Sequence, residues 1–290
     1  MSECRLCPRN CGVARASGQL GFCRADATPR VARYAPHMWE EPCLSGKNGA
    51  GTIFFSGCSL GCVYCQNRDI SRGRTGEKAD DQRLAEMIYE LVDMGVHCIE
   101  FVTPTHHTDS VVRVLERVKP SLRIPTVWNS GGYEKAETLK MLDGLIDIYL
   151  PDFKYGTKET AEKYSAASDY PEYAVAAVRE MFRQTGRAEF DRNGMMKKGV
   201  IVRHLVLPGN RNDSVEVLKR LSESLPVNDI RLSLMSQYTP DFAADTPHTE
   251  LQRRVTTFEY KYVLKAAESL GFDGYFQERS SADKKYTPEF

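Results

Sequence analysis

From residue 51 onward, six short apolar, β-rich runs alternate with longer helical segments, and this alternation limits the fold more than any other feature. A strand that returns to a parallel neighbour needs a crossover of a dozen or more residues, normally a helix, so βα units in series imply a parallel sheet. The runs are Thr52–Ser56, Cys98–Thr103, Thr126–Asn129, Ile146–Phe153, Val200–Leu207 and Arg231–Ser236. Between them, residues 83–95 carry apolar side chains three and four apart and stop at Gly95, as a helix does. Helices are likewise expected over 109–119, 134–143, 171–185, 213–225 and 256–270, with a strand-like GYFQE after the last. Asp191-Arg-Asn-Gly194 reads as a tight turn. Such a sheet either stays open and doubly wound or curves into a barrel. No Gly-x-Gly-x-x-Gly follows the first run, which removes the main support for a dinucleotide-binding sheet. In both architectures the loops at the C-terminal ends of the strands build the site. Residues 1–50, rich in Cys, Pro, Arg and Gly, read as an irregular N-terminal extension, and 51–290 as the core with a C-terminal helix and tail.

With 41% hydrophobic residues and 39 basic against 39 acidic side chains, the chain reads as a globular protein, and the balance argues against a broad nucleic-acid or acidic-membrane surface. No apolar run reaches the ~18 residues that cross a bilayer, and the start lacks the basic-then-apolar pattern of a secretory signal. A cytoplasmic protein is expected. Nine cysteines are its compositional excess. An odd number without a secretion signal argues against a disulfide framework, whereas clustered thiols in a reducing compartment suggest metal or redox chemistry. Cys98, inside an apolar run, reads as a small buried hydrophobe, and Cys43 as buried or a spare ligand.

Just past the first run, Cys58-Ser-Leu-Gly-Cys62-Val-Tyr-Cys65 forms a C-x3-C-x2-C array. Three thiolates on one loop suit one side of a [4Fe–4S] cubane and leave one iron open, since most such clusters take four cysteines. Structural zinc normally closes its tetrahedron with a fourth ligand and prefers two separated C-x2-C knuckles. A second group, Cys4, Cys7, Cys11 and Cys23, provides four thiols for another metal centre, and zinc and a second iron–sulfur cluster both suit that spacing.

The triplet resembles the C-x3-C-x-aromatic-C signature of the radical S-adenosylmethionine superfamily, with Tyr64 in the aromatic position. SGCSLGCVYCQN, IDIYLPDFK, RHLVLPG and the C-x-L-C-P-R-x-C-G opening resemble more closely the PflX-like proteins related to pyruvate formate-lyase activating enzyme. That resemblance implies an α/β fold with a partial (β/α)6 TIM-like barrel. It also implies a [4Fe–4S] cluster on Cys58, Cys62 and Cys65, and S-adenosylmethionine at the open iron. The expected activity is that of an oxidoreductase. Reductive cleavage of the sulfonium C–S bond gives a 5′-deoxyadenosyl radical that abstracts a substrate hydrogen, as in glycyl-radical-enzyme activation. The alternatives are radical modification of a peptide or small molecule, and a non-catalytic iron–sulfur or zinc sensor or electron carrier. The implied partners are a one-electron reductant such as flavodoxin or ferredoxin and, for an activase, a protein substrate.

The strand ends provide the other candidates. Asp152 and Lys154, two apart, share a face of an extended segment, and a similar Asp-x-Lys contacts the cofactor in the activating enzymes. Arg203 and His204 are adjacent and so face opposite sides. The resemblance favours the cofactor side for Arg203. Asn129, before Ser130 and Gly131-Gly132, is a cofactor contact by position, as Tyr64 is by motif. Gln237 and Tyr238 end the sixth run. Where the wider superfamily commonly carries Gly-Gly-Glu, this chain reads Phe101-Val-Thr-Pro-Thr-His106-His107, which leaves Thr103 and Thr105 to receive the cofactor amino group. His106 and His107 stand at the expected barrel mouth, as substrate-facing groups or as ordinary loop histidines.

Overall fold

Inside each run, alternate residues serve two buried layers, which is why the runs become strands of a sheet covered on both faces. The computed structural model describes residues 3–73 and 75–277. Its ten strands are β1 (Arg30–His37), β2 (Ala50–Phe55), β3 (Glu77–Lys78), β4 (Ile99–Val102), β5 (Thr126–Ser130), β6 (Ile148–Pro151), β7 (Glu189–Phe190), β8 (Met196–Leu205), β9 (Arg231–Met235) and β10 (Gly274–Phe276). The helices are α1 (Pro42–Ser45), α2 (Arg68–Arg72), α3 (Asp81–Asp93), α4 (Thr108–Val118), α5 (Ala136–Leu139), α6 (Lys158–Ser165), α7 (Tyr170–Thr185), α8 (Arg211–Ser224) and α9 (Thr257–Ser269). The sheet order is β10-β9-β8-β6-β5-β4-β2-β1-β3, with β7 paired to β8. The six expected runs become β2, β4, β5, β6, β8 and β9, which pair in parallel with one another in that order. This is an α/β partial barrel.

The outward faces of the strands pack Phe101, Trp128, Tyr149 and Val202 against the helices. Burying an aromatic of that size contributes on the order of 2–3 kcal/mol. The inward faces carry Ala50, Cys98, Val127, Ile148 and Ile201, closed off by Cys43 and Leu44 of α1. Helix starts are chemically specified: Asp80 accepts from Arg83 N before α3, and Thr256 with Glu259 forms a capping box before α9.

Three local expectations differ from the structure. Within the extension read as irregular, Arg30–His37 forms β1, antiparallel to β2; only Val31 of it is buried, so its sequence carries little apolar alternation. Helix α6 was not expected, because KETAEKYS buries only Ala161, Tyr164 and Ser165. The helix expected over 134–143 shrinks to α5 and a 3-10 turn at Lys140–Leu142. Glu134 instead accepts from Thr105 Oγ1 and Trp128 Nε1 at 3.0 and 2.8 Å and from Ser130 Oγ. The turn at Asp191–Gly194 forms as read. Residues 278–290, the expected C-terminal tail and the last residue of GYFQE, lie outside the described residues. No described helix is long and apolar enough to cross a membrane.

Candidate functional site

Strand β2 delivers the chain to the barrel mouth, and the chain turns at Gly57, two residues past the strand's end. There φ is +90°, and a Cβ would lie 2.4 Å from the Cys23 carbonyl oxygen, so only glycine fits. The following loop is held from outside through its carbonyls. Arg9 Nε donates to Ser59 O at 2.9 Å and Arg9 Nη2 to Leu60 O at 3.0 Å. Arg72 Nη2 donates to Gly61 O and Cys62 O, both at 3.3 Å. Cys58, Cys62 and Cys65 all line a cavity of about 630 Å³, and no other cysteine of the described residues lines it. Leu60 N–H donates to Cys58 Sγ at 3.3 Å. Burial, then the neighbouring thiols, pushes Cys65 up to about 11 and raises Cys58, while Lys154 works in the opposite direction on both. Metal coordination resolves such crowding, because a ligated thiol is deprotonated outright. Among the described residues no three His, Cys, Asp or Glu groups gather as a single metal ion needs. Three thiolates facing one cavity are the donor set that a [4Fe–4S] cubane takes on three of its irons.

Across the cavity, β5, β6 and β8 end in one polar network. Lys154 Nζ donates to Asp152 Oδ2 at 2.6 Å and Arg203 Nε to Asp152 Oδ1 at 3.0 Å. Arg203 also reaches Asn129 Oδ1 at 2.5 Å and Glu40 Oε2 at 3.2 Å. Burial opposes ionisation of Asp152, but Arg203 and Lys154 outweigh it and hold the carboxyl below its ordinary value. Below this pair the charge balance reverses. Asn129 Nδ2 donates to Glu100 Oε1 at 2.5 Å, while Glu100 Oε2 has no hydrogen-bond partner among the described residues. Burial, reinforced by Glu40, raises Glu100 far above the usual carboxylate range, and burial lifts Glu41 to about 7 against the pull of Arg203.

Tyr64, Asn129, Asp152, Lys154 and Arg203 therefore face the same cavity as the three thiols, together with Thr103, Ser130, Gln237 and Tyr238. Tyr64 is packed edge-on to Tyr155, Tyr164 and Tyr238, with centroids 6.4, 6.0 and 6.2 Å away. His204 turns to the other side of β8, as parity requires, with Nδ1 2.7 Å from Phe153 O. The two loop histidines do not face substrate space. His106 and His107 are 2% and 0% exposed, with His106 Nε2 2.8 Å from Ser56 O and His107 Nδ1 3.1 Å from Arg15 Nη2. The chain after β4 turns inward under the N-terminal segment, burying them, and Thr105 is likewise committed to Glu134. Cys4, Cys7, Cys11 and Cys23 are not on the cavity wall. Three residues of the network had been missed. Glu100 was legible as a lone charge in an apolar strand, inward by parity with Cys98. Glu40 and Glu41 left no signal, because they reach the barrel floor from the N-terminal segment.

A sequence profile of the Radical SAM superfamily matches residues 52–222, more than half of the chain. The uncharacterized protein MJ0674 of Methanocaldococcus jannaschii is 30% identical over 286 residues, covering 93% of this chain and 76% of its own. Among solved structures, Streptococcus suis SuiB bound to precursor peptide SuiA is similar at a TM-score of 0.52 and 14% identity, over 78% of this chain and 48% of SuiB. HydG, a maturase of the [FeFe]-hydrogenase, is similar at 0.52 and 14%, over 85% of this chain and 56% of HydG. The chain thus spans about half the length of each solved structure, and at that identity the likeness is one of fold. The triplet at the end of the first parallel strand, the partial barrel and the matching profile together place the chain in the radical SAM superfamily.

Proposed function

We propose that Cys58, Cys62 and Cys65 hold a [4Fe–4S] cluster and that S-adenosylmethionine occupies the adjoining cavity at the iron the protein leaves open. The observation that carries this reading is the sharing of one cavity by three thiols, the only cysteines of the described residues on its wall, and by the Asp152–Lys154–Arg203–Asn129 network. With both groups bound, one-electron cleavage of the sulfonium C–S bond supplies a 5′-deoxyadenosyl radical for hydrogen abstraction. The chain's own part is placement and exclusion of water. Lys154 and Arg203 provide cationic donors for carboxylate and ribose oxygens, Asp152 and Asn129 provide acceptors, and Tyr64 gives an apolar wall.

The target we favour is a glycine of a partner protein, on the resemblance to activating enzymes, with electrons from a flavodoxin- or ferredoxin-type donor. A peptide target is the second reading, supported by the fold shared with peptide-bound SuiB. Nine free thiols suit the reducing cytoplasm. The test is anaerobic reconstitution followed by reduction in the presence of S-adenosylmethionine. Release of 5′-deoxyadenosine that disappears in Cys58→Ala, Cys62→Ala and Cys65→Ala is expected. An intact, reduced triplet cluster that releases none, even with candidate substrates, overturns the reading.

A further inference from the structure

Outside the cavity, the four N-terminal thiols form a second group. Cys4, Cys11 and Cys23 all stand close enough to Cys7 to act on its thiol, and Cys4 and Cys11 act in the same way on Cys23. Backbone N–H groups two residues on, at Arg9 and Ala25, point at the sulfurs of Cys7 and Cys23. The triplet loop shows the same arrangement, Leu60 N–H donating to Cys58. A side chain at Gly21 would start 2.7 Å from Cys11 Sγ, so the chain passes close to that sulfur on one side, while Cys11 stays exposed on the other.

The strongest indication is Arg15. It is 6% exposed. Its Nε donates to Asp26 O at 3.1 Å, its Nη1 to His106 O and at 3.8 Å to Cys4 Sγ, and its Nη2 to Asp26 O. Nη2 also lies 3.1 Å from His107 Nδ1. Among the described residues no carboxylate pairs with it. A guanidinium cannot shed its charge, and a buried charge without a counter-ion is strongly disfavoured. Of the groups that its guanidinium contacts among the described residues, Cys4 Sγ is the one able to become anionic, with Cys23 near enough to feel the charge, and metal ligation makes a thiol so.

We propose that Cys4, Cys7, Cys11 and Cys23 ligate a second iron–sulfur cluster, closed by four protein thiolates, with Arg15 as its buried counter-cation. Four thiolates close a cubane on every iron, as most such clusters are held, and iron with sulfide content tells that centre from a single zinc ion. The centre sits against the outer side of the triplet loop. Arg9, between Cys7 and Cys11, grips Ser59 O and Leu60 O, and the Cys23 carbonyl oxygen abuts Gly57. This inference goes beyond the triplet reading and stands or falls separately from it.

The experiment is an iron and sulfide count with Mössbauer spectroscopy on the anaerobically reconstituted full-length chain. Wild type should hold about eight iron and eight sulfide, and the variant with Cys58, Cys62 and Cys65 all changed to alanine should keep about four of each. Cys11→Ala, at an exposed side chain, should lower the count while leaving the triplet's spectrum in place. Arg15→Met should move the N-terminal cluster to lower potential and leave the other unchanged. An iron-free triplet variant whose circular dichroism matches wild type, or stoichiometric zinc on the N-terminal thiols, overturns the proposal. About four iron in both wild type and the triplet variant upholds it and instead sinks the triplet cluster.

Discussion

Cysteines occupy both ends of the barrel interior, and they differ in surroundings more than in acidity. At the floor, Cys43 and Cys98 pack with Ala50, Val127, Ile148 and Ile201. At the mouth, Cys58, Cys62 and Cys65 face the cavity. Burial raises Cys43 and Cys65 alike to about 11, and lifts Cys98 well beyond its ordinary value. The floor is hostile to a thiolate, because Glu100 and Glu40 stand next to Cys98, whose thiol lies 3.8 Å from Leu44 O as donor. The mouth offers Lys154 and the backbone N–H groups of Leu60 and Gly61. A buried thiol becomes filler or ligand according to whether its neighbours favour an anion.

The largest expected effect separates the two ends directly. Cys62→Ala should abolish iron on the triplet and all cleavage of S-adenosylmethionine, whereas Cys98→Ala should leave the iron count unchanged and lower stability by about 1–2 kcal/mol in urea unfolding. Equal loss of iron in both would erase the distinction. Next comes Asp152→Ala, which strips Lys154 of its carboxylate and leaves Arg203 with Glu40 alone. A loss of about 3–5 kcal/mol is expected, with weaker binding of S-adenosylmethionine by calorimetry.

Glu41 tests the floor. Its folded value, about 7, lies above the ordinary 4.5. The folded state therefore binds more protons between those values, and stability falls as pH rises from 4.5 to 7, then levels. Compared with Glu41→Gln, wild type should lose on the order of 1–3 kcal/mol across that window. His106, held near 4 by burial, drives the opposite trend below 6.5, but it is present in both proteins and cancels in the difference. Identical pH profiles would show that Glu41 is not held neutral. Smallest is Tyr170→Phe. The Tyr170 hydroxyl donates to Gly131 O at 3.0 Å or Asp152 O at 2.9 Å and accepts from Lys154 N at 2.8 Å, tying two strand ends beneath the mouth. About 1 kcal/mol of stability should be lost, with a small rise in the concentration of S-adenosylmethionine needed for half-saturation.

What could be read in advance followed from proximity along the chain. The triplet and Asp152/Lys154 each occupy a few consecutive residues, so spacing alone brings them together. Parity along β8 put Arg203 and His204 on opposite faces. Residues whose roles come from distant contacts were less legible. His106 and His107 are buried by Arg15 and Ser56, some 90 and 50 positions away along the chain. Strand β1 owes its existence to the edge of β2 rather than to its own weakly apolar sequence.

The amino-acid order by itself determined six βα units, a parallel sheet and a three-thiol loop at the end of its first strand, because periodicity, crossover length and ligand spacing are local properties. Only the tertiary structure decided which charges meet. Glu40, Glu100, Asn129, Asp152 and Arg203 come from five separate segments. Their ionisation depends on shared burial and on distances of about 3 Å, which no spacing in a linear chain encodes.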